Sequence, residues 1–301
     1  MWLATLHQST SGGKSQYVLR RLATFVILSV ALCAGCGKKT EPLLLAKQQE
    51  APAKMQATPS PGPTPPTKPI QAQPINKSWS NAFAFVTRTI EENHEGFCPY
   101  EISAEYPRIE GTRLPSTIQF NRWIKKKVLG DVARFRNLEL RAEPRARKQG
   151  RRLITEGLEL TYRVYYSNRQ IISIRLTHRV MAAGQMHPIN YYETINYDLK
   201  NNRQLREKDL FRRGYLKVFS SYARKELTEK YGLGLDWWVT KGTLPQHYNF
   251  ANWNIVPDGI LLSFEDYQVS SHSFGQPEFI VPFSVLKKML LVSEVRRFVR
   301  G

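Results

Sequence analysis

Polar and apolar residues alternate along four segments between residues 100 and 199, a pattern typical of strands with one buried face. The first segment is "YEISAEYPRIE". In the next two, one face carries every second residue from Leu158 to Tyr166 and from Ile172 to Val180. The short polar link "SNRQ" between them predicts an antiparallel hairpin. The fourth segment, "NYYETINYDL", predicts a further strand that ends in the turn "KNNR".

Helical spacing follows Pro115 and Ser116, where apolar residues recur every three or four positions. These residues are Phe120, Ile124, Val128, Val132 and Phe135. Lys125, Lys126 and Lys127 are predicted to lie on the solvent side. A second helix is predicted from about Tyr215 to Tyr231.

The last part of the chain predicts two strands about the turn "PDG", and Pro282 suits the first turn of a short helix. No repeat of about 20 to 50 residues is present, which argues against a solenoid. The predicted class is therefore α+β, a mainly antiparallel sheet with packed helices, in a single extracytoplasmic domain at residues 78–301.

Residues 1–35 are predicted to be an export signal, because they carry basic residues, no acidic residue, and the apolar run "LATFVILSVAL". This run is shorter than the roughly 20 residues that cross a bilayer, so we expect its removal. "LCAGCGKK" resembles the lipobox of bacterial lipoproteins, in which Cys36 would carry the lipid. The alternative is an ordinary signal peptide followed by a chance cysteine. Gly37 matches the pattern for outer-membrane retention in a cell with two membranes.

Residues 36–77 predict a tether, since they are rich in Pro, Ala and Gln and have no apolar periodicity. Such a segment spans about 30 to 90 Å, so the domain is expected outside the cytoplasmic membrane, held there by the lipid. With Cys36 lipidated, Cys98 has no partner for a disulfide. It is predicted to be a small buried residue or a free thiol.

The chain has 44 Lys and Arg against 25 Asp and Glu, a formal net charge of +19. Export argues against a nucleic-acid partner, so the charge favours anionic partners such as wall peptides, phosphates or lipid. The densest basic run, "RAEPRARKQGRR", is predicted to be a solvated loop or an anion site. The candidate residues of that site are Arg145, Arg147, Arg151 and Arg152.

The polar segment "FEDYQVSSHSF" contains the residue types of an acid/base site. On a regular strand, however, Glu265 and Asp266 would face apart. Neither Ser271 nor Ser273 lies in a G-x-S-x-G elbow, and no H-E-x-x-H or C-x-x-C spacing predicts a metal site. We therefore predict no catalytic residue, no metal and no cofactor.

The prediction of no catalytic residue would be wrong if certain histidines and carboxylates came together. An enzyme would need His178, His187 or His272 to meet Glu193 or Asp266 in a cleft.

Aromatic residues are frequent near residue 240, where they could either stack on sugar rings or pack in the core. They are Trp237, Trp238, Tyr248, Phe250 and Trp253. The adjacent Trp237 and Trp238 cannot easily both be buried, which makes them candidate binding residues.

Two long motifs resemble a known family. They are "GQMHPINYYETINYDLKNNRQLREKDLF" and "VPDGILLSFEDYQVSSHSFGQPEFIVPFSVL". Both are similar to the domain shared by RsiV-type lysozyme receptors and PdaC-type peptidoglycan deacetylases. "YEISAEYPRIEG" and "LPSTIQFNRWI" resemble the segment before it. The resemblance implies that the second motif is a strand-turn-strand-helix element, with structural roles for Phe264, Tyr267, Gly275, Pro282 and Leu286.

The same resemblance sets expectations about function. RsiV-type regulators have a sigma-binding segment and a membrane span before the domain, and PdaC-type enzymes have a catalytic domain after it. We expect neither activity here. The leading hypothesis is a non-enzymatic, lipid-anchored envelope protein that binds peptidoglycan or a wall-acting protein. The alternative is a lysozyme-binding or lysozyme-inhibiting protein, which would need an acidic face because common lysozymes are basic. An enzyme with a new site is the third hypothesis.

Overall fold

The computed structural model describes Trp79, residues 81–181, residues 187–291 and Phe298. These residues belong to one compact unit. The predicted signal, the lipid acceptor Cys36 and the predicted tether lie outside the described residues.

Six strands form the larger sheet, in the order of their numbering. They are β1 (Ala84–His94), β2 (Tyr100–Glu110), β3 (Glu156–Ser167), β4 (Ile171–Met181), β5 (Ile189–Asp198) and β6 (Arg203–Gln204). Within this sheet β2 and β3 are parallel, because the helix α1 (Pro115–Lys148) carries the chain back between them. The other neighbouring strands are antiparallel.

A second, antiparallel sheet contains three strands: β7 (Trp253–Val256), β8 (Gly259–Ser263) and β9 (Glu278–Pro282). The shorter helices are α2 (Glu207–Leu210), α3 (Tyr215–Glu229), α4 (Trp237–Gly242) and α5 (Phe283–Leu286). The predicted α+β class is confirmed. Among the described residues, no helix combines the length and the apolar character needed to cross a membrane.

Helix α1 covers one face of the larger sheet with the apolar stripe predicted from its spacing. Phe120, Ile124, Val128 and Val132 are fully buried there. They pack with alternate residues of β2 to β5. Burial of each large apolar side chain stabilises the fold by about 1.5–3 kcal/mol. Cys98 is buried as a free thiol, as predicted.

The predicted loop at Arg141–Arg152 is wrong for its first part, because α1 continues to Lys148 despite Pro144. The continuation has a physical reason: Glu143 accepts hydrogen bonds from the backbone N–H groups of Phe97 at 3.0 Å and Cys98 at 2.8 Å. These bonds fasten the end of the helix to the start of β2.

Two finer predictions also fail. The alternation in β3 holds from Leu158 to Val164, and then a bulge shifts the register. Tyr166 therefore packs in the cluster with the second sheet rather than under α1. Lys127 is not on the solvent side of α1, since its ammonium group contacts the carboxylates of Asp131 and Glu193.

The second sheet covers the opposite face of β3 to β5 through polar contacts. The Asn254 side chain donates to Ser173 Oγ at 3.0 Å and to the Ile174 carbonyl at 2.9 Å. Arg175 forms a buried ion pair with Glu278. Because β7 contacts β3, β4 and β5, the same face of β1 and β2 remains exposed.

Candidate functional site

The polar segment between β8 and β9 is a loop, residues 264–277, which we call the site loop. It contains a short 3-10 turn, and Tyr267 has a left-handed backbone with φ of 60°. A residue with a side chain in this conformation costs on the order of 1–3 kcal/mol, so other contacts must hold it there.

Two carboxylates of the site loop provide such contacts. Asp266 is buried and accepts hydrogen bonds from the backbone N–H of Asn190 at 2.9 Å and from its side-chain amide at 3.0 Å. Glu265 accepts from the backbone N–H of Tyr192 at 3.3 Å. The prediction that Glu265 and Asp266 face apart is therefore wrong, because the chain here is not a strand and both carboxylates reach β5.

Helix α4 lies directly against the site loop. A Cβ atom on Gly242 would come within 2.1 Å of the Gln268 carbonyl oxygen, so glycine is required at this close approach. Asp236 caps the helix by accepting from the Val239 N–H at 3.0 Å. This packing places Trp238 of α4 beside Tyr267.

The aromatic rings form a continuous row. The ring centroids of Trp237 and Trp238 are 5.9 Å apart, and those of Trp238 and Tyr267 are 6.2 Å apart. His187 and His272 stack at 4.1 Å with nearly parallel rings. We call these five residues the aromatic surface.

Polar contacts join the two histidines to the rest of the site. The Tyr267 hydroxyl lies 3.1 Å from His187 Nε2. His272 Nδ1 lies 3.1 Å from Asp266 Oδ2. The surface thus combines exposed rings with imidazole and phenol groups that can bind the hydroxyl or amide groups of a ligand.

The aromatic residues near residue 240 differ in whether they pack in the core or can stack on a ligand. Phe250 and Trp253 are buried and belong to the core. Trp237 is 68% exposed and Tyr267 is 42% exposed, while Trp238 is half-buried. Stacking on a ligand remains open for Trp237 and Trp238, and Tyr267 joins them.

A second group of polar residues lies on the α1 face, where the ligand-type atoms of Asp131, His178 and Glu193 are within 4.8 Å of one another. Burial lowers the pKa of His178 to about 4, so its imidazole is neutral at pH 7. Burial also lowers the pKa of Lys127, although the adjacent Glu193 carboxylate opposes that shift. His178 therefore meets Glu193, and His272 meets Asp266, which are contacts that the enzyme hypothesis required. That hypothesis also places such a pair in a cleft, and this part of it stays a prediction.

A third group of carboxylates surrounds Cys98. Burial, with Glu156 nearby, raises the pKa of Glu139 to about 8. Burial and the charges of Glu143, Glu139 and Glu156 raise the pKa of the Cys98 thiol. A thiol with a raised pKa is a poor nucleophile, which agrees with the predicted structural role of Cys98.

The basic segment, Arg145, Arg147, Arg151 and Arg152, is exposed and spans the last turn of α1 and the residues after it. Arg147 also lies 5.6 Å from the centre of the Phe97 ring. Strand register places the starts of β2, β3 and β5 at one end of the larger sheet. The basic segment and His187 therefore lie at the same end of the sheet.

Carboxylates lie on the face opposite α1 along β1, β2 and the start of β3. Glu101 and Glu105 alternate along β2 on the side opposite α1, and Glu91 pairs across from Ser103 between them. Glu159 on β3 pairs across from Ser103 on the other side, and its carboxylate binds Arg179 at 2.9 Å. We call Glu91, Glu101, Glu105 and Glu159 the acidic face.

Sequence reasoning misses the surroundings of two residues. The family resemblance gives Tyr267 a structural role and carries no signal for its exposed ring beside Trp238. Helical spacing places Lys127 in solvent, because its partner Glu193 is far away in the sequence.

Part of the chain matches a known family model. Residues 208–284 match the family model described as a protein of unknown function, DUF3298. This segment contains α3, α4, the site loop and most of the aromatic surface, but not His187. The resemblance predicted from the sequence motifs is therefore found over this part of the chain, and the likeness to RsiV-type regulators stays a prediction.

A curated relative and two solved structures complete the comparison. The peptidoglycan-N-acetylmuramic acid deacetylase PdaC of Bacillus subtilis is 29% identical over 136 residues, which are 44% of this chain and 29% of PdaC. This chain thus aligns with less than a third of PdaC.

A DUF3298 member from Bacteroides fragilis has a TM-score of 0.52 and 18% identity, with 72% of this chain and 99% of that one covered. It shares the fold. A DUF3298 protein from Pseudomonas aeruginosa gives a TM-score of 0.45 and 16% identity, with 69% of this chain and 94% of that one covered.

Proposed function

We propose that the protein is a non-enzymatic component of the bacterial envelope that binds peptidoglycan through the aromatic surface. In this proposal Cys36 carries a lipid, and residues 36–77 allow the domain to reach the wall. The observation that carries the proposal is the exposed ring of Trp237, in a row with Trp238 and Tyr267.

The chemistry of the ligand supports this choice. Each sugar ring of a glycan strand has an apolar face, which can stack on a tryptophan or tyrosine ring. Hydroxyl and N-acetyl groups at the rim can bind polar groups such as His187 and His272. Because buried Asp266 and the close contact at Gly242 already fix the surface, little ordering is needed when the ligand binds.

The basic segment supports the same partner. Peptidoglycan stem peptides carry carboxylates, and the exposed arginines at the same end of the sheet provide the complementary charge. We propose that the glycan contacts the aromatic surface and that Arg145, Arg147, Arg151 and Arg152 attract the peptides.

The partial match to PdaC is consistent with a peptidoglycan ligand. That protein is named for its action on peptidoglycan, and we propose that this chain binds the same polymer. We assign binding to the aromatic surface because the rings of Trp237 and Tyr267 are exposed and can stack on a ligand.

The acidic face favours a second candidate function. A lysozyme-binding protein needs such a face, because the excess of basic residues over the whole chain would otherwise repel a basic lysozyme. Glu91 and Glu101 are exposed and can supply this attraction.

Cosedimentation with purified peptidoglycan sacculi tests the first candidate. The full-length chain in mild detergent would be mixed with sacculi at low salt and again near about 0.5 M salt, where exposed charge pairs are largely screened. We expect binding to remain at high salt, because stacking does not depend on screening. Binding that disappears at high salt, or never occurs, would contradict the proposal and favour the lysozyme alternative.

A further inference from the structure

His178 is a buried side chain whose ring nitrogens have no partner among the described residues. The residue is 3% exposed, and neither Nδ1 nor Nε2 has a hydrogen bond there. A buried polar group without a partner costs about 1–3 kcal/mol, so such a group needs an explanation. The ring stacks on Tyr191 at 4.5 Å, which fixes its plane.

The unpaired ring points toward two carboxylates. His178 Nε2 lies 4.0 Å from Glu193 Oε2, and Asp131, which is 5% exposed, completes the group. All the ligand-type atoms lie within 4.8 Å of one another. The three residues come from α1, β4 and β5, so the rigid packing of helix on sheet holds them together.

A cation already lies between the carboxylates. Lys127 Nζ is 2.9 and 2.8 Å from the two Asp131 oxygens and 2.5 Å from Glu193 Oε2. Arg134 also contacts Asp131. The ammonium of Lys127 is directed to the carboxylates of Asp131 and Glu193, and neither it nor any other described residue forms a hydrogen bond with a ring nitrogen of His178.

We propose that Asp131, His178 and Glu193 form a binding site for a divalent transition-metal ion, which displaces the ammonium of Lys127. One imidazole nitrogen and two carboxylates are ligands that suit zinc and neighbouring divalent ions. A metal ion would satisfy both carboxylates and give His178 the partner that Lys127 does not.

The site is open to exchange on one side. The side chains of Lys127 and Glu193 are 20% and 31% exposed. Lysine has a flexible four-carbon stem, so its ammonium can move to solvent while its carbon chain stays packed. The ion therefore has a path to the site that does not require unfolding of α1.

Zinc alone is the probe for this site. The full-length chain, freed of metal by a chelator, would be titrated with Zn²⁺ by calorimetry, with circular dichroism to verify the fold of each variant. We expect one site per chain, and His178→Gln should weaken binding by about tenfold or more. Lys127→Met should strengthen it by about tenfold, because the competing cation is gone.

The Lys127→Met arm keeps the test decisive if His178→Gln fails to fold, since a purely structural role for the lysine would not increase affinity for zinc. His94→Gln is the matched control, because it removes a histidine outside both sites that also neighbours a carboxylate, Glu143. The proposal is overturned if the wild-type chain binds no zinc. It is also overturned if His94→Gln rather than His178→Gln abolishes binding, or if Lys127→Met binds zinc no better than the wild type.

Discussion

The aromatic surface and the acidic face lie on the same side of the larger sheet, yet they are built differently. The aromatic surface rests on a loop that is fixed by a buried carboxylate, a glycine contact and a strained tyrosine. The acidic face is a group of side chains on neighbouring strands, placed by the two-residue alternation and the strand register. The first can therefore recognise shape, whereas the second supplies charge and can steer a basic partner.

The largest expected effect comes from removing the most exposed ring. Trp237→Ala should weaken binding to sacculi by about tenfold, which corresponds to about 1.4 kcal/mol. Its free energy of unfolding should change by less than about 0.5 kcal/mol, because the ring is mostly exposed. The control is Leu129→Ala, which removes an exposed apolar side chain that lies on α1, outside the aromatic surface. If cosedimentation showed that the two variants lose equal amounts of binding to sacculi, the aromatic surface would have no special role in that binding.

A smaller and salt-dependent effect is expected at the acidic face. Replacing Glu91, Glu101 and Glu105 with Gln should slow association with a basic lysozyme about fivefold at low salt and have little effect at high salt. Binding to sacculi should not weaken. Stopped-flow measurements check the rates, with Glu229→Gln as a control for lost charge on α3. If the triple variant also bound sacculi poorly, the two surfaces would not be independent.

Backbone strain separates the two regions further. Tyr267→Gly should leave the protein as stable or raise its free energy of unfolding by about 0.5 kcal/mol, because glycine adopts positive φ freely. The same change should weaken binding to sacculi about threefold through loss of the ring.

Asn202→Gly is the matched control, since Asn202 has φ of 49° in a turn outside the site. Chemical denaturation measures the free energy of unfolding, and cosedimentation measures binding to sacculi. A Tyr267→Gly variant that binds as well as the wild type would show that the ring does not contact the ligand.

The smallest effect concerns Glu139, a half-buried carboxylate on α1. The pKa of Glu139 is raised from 4.5 to about 8 in the folded protein. Between these pH values the folded state keeps a proton that the unfolded state has lost, so stability falls as pH rises. We expect a loss on the order of 1 kcal/mol between pH 5 and 8, reduced by solvent screening.

Denaturation curves at several pH values measure this loss. Glu139→Gln should flatten the dependence, and Glu229→Gln, at an exposed position, should leave it as in the wild type. A wild-type protein whose stability rose over the same range would contradict the assignment.

Regular elements could be predicted from the sequence because their signals are local. The apolar spacing from Phe120 to Phe135 predicted α1, and the alternation in residues 157–180 predicted the hairpin of β3 and β4. The end of α1 could not be predicted, since it depends on bonds from Glu143 to residues before β2.

Only part of the candidate site could be predicted, because the rest also depends on contacts between residues far apart in the sequence. The adjacent Trp237 and Trp238 identified one part of it. Their neighbour Tyr267 is positioned by the contact between Asp266 and Asn190, which are 76 residues apart. Contacts of that kind depend on the whole fold and leave no periodic signal along the chain.

Hydrogen exchange with and without soluble peptidoglycan fragments tests the central claim most directly, because it locates the ligand among the regions compared above. We predict slower exchange in α4 and the site loop, with β1 and β2 unchanged. Slower exchange in β1 and β2 alone, or no change anywhere, would contradict the assignment of peptidoglycan to the aromatic surface.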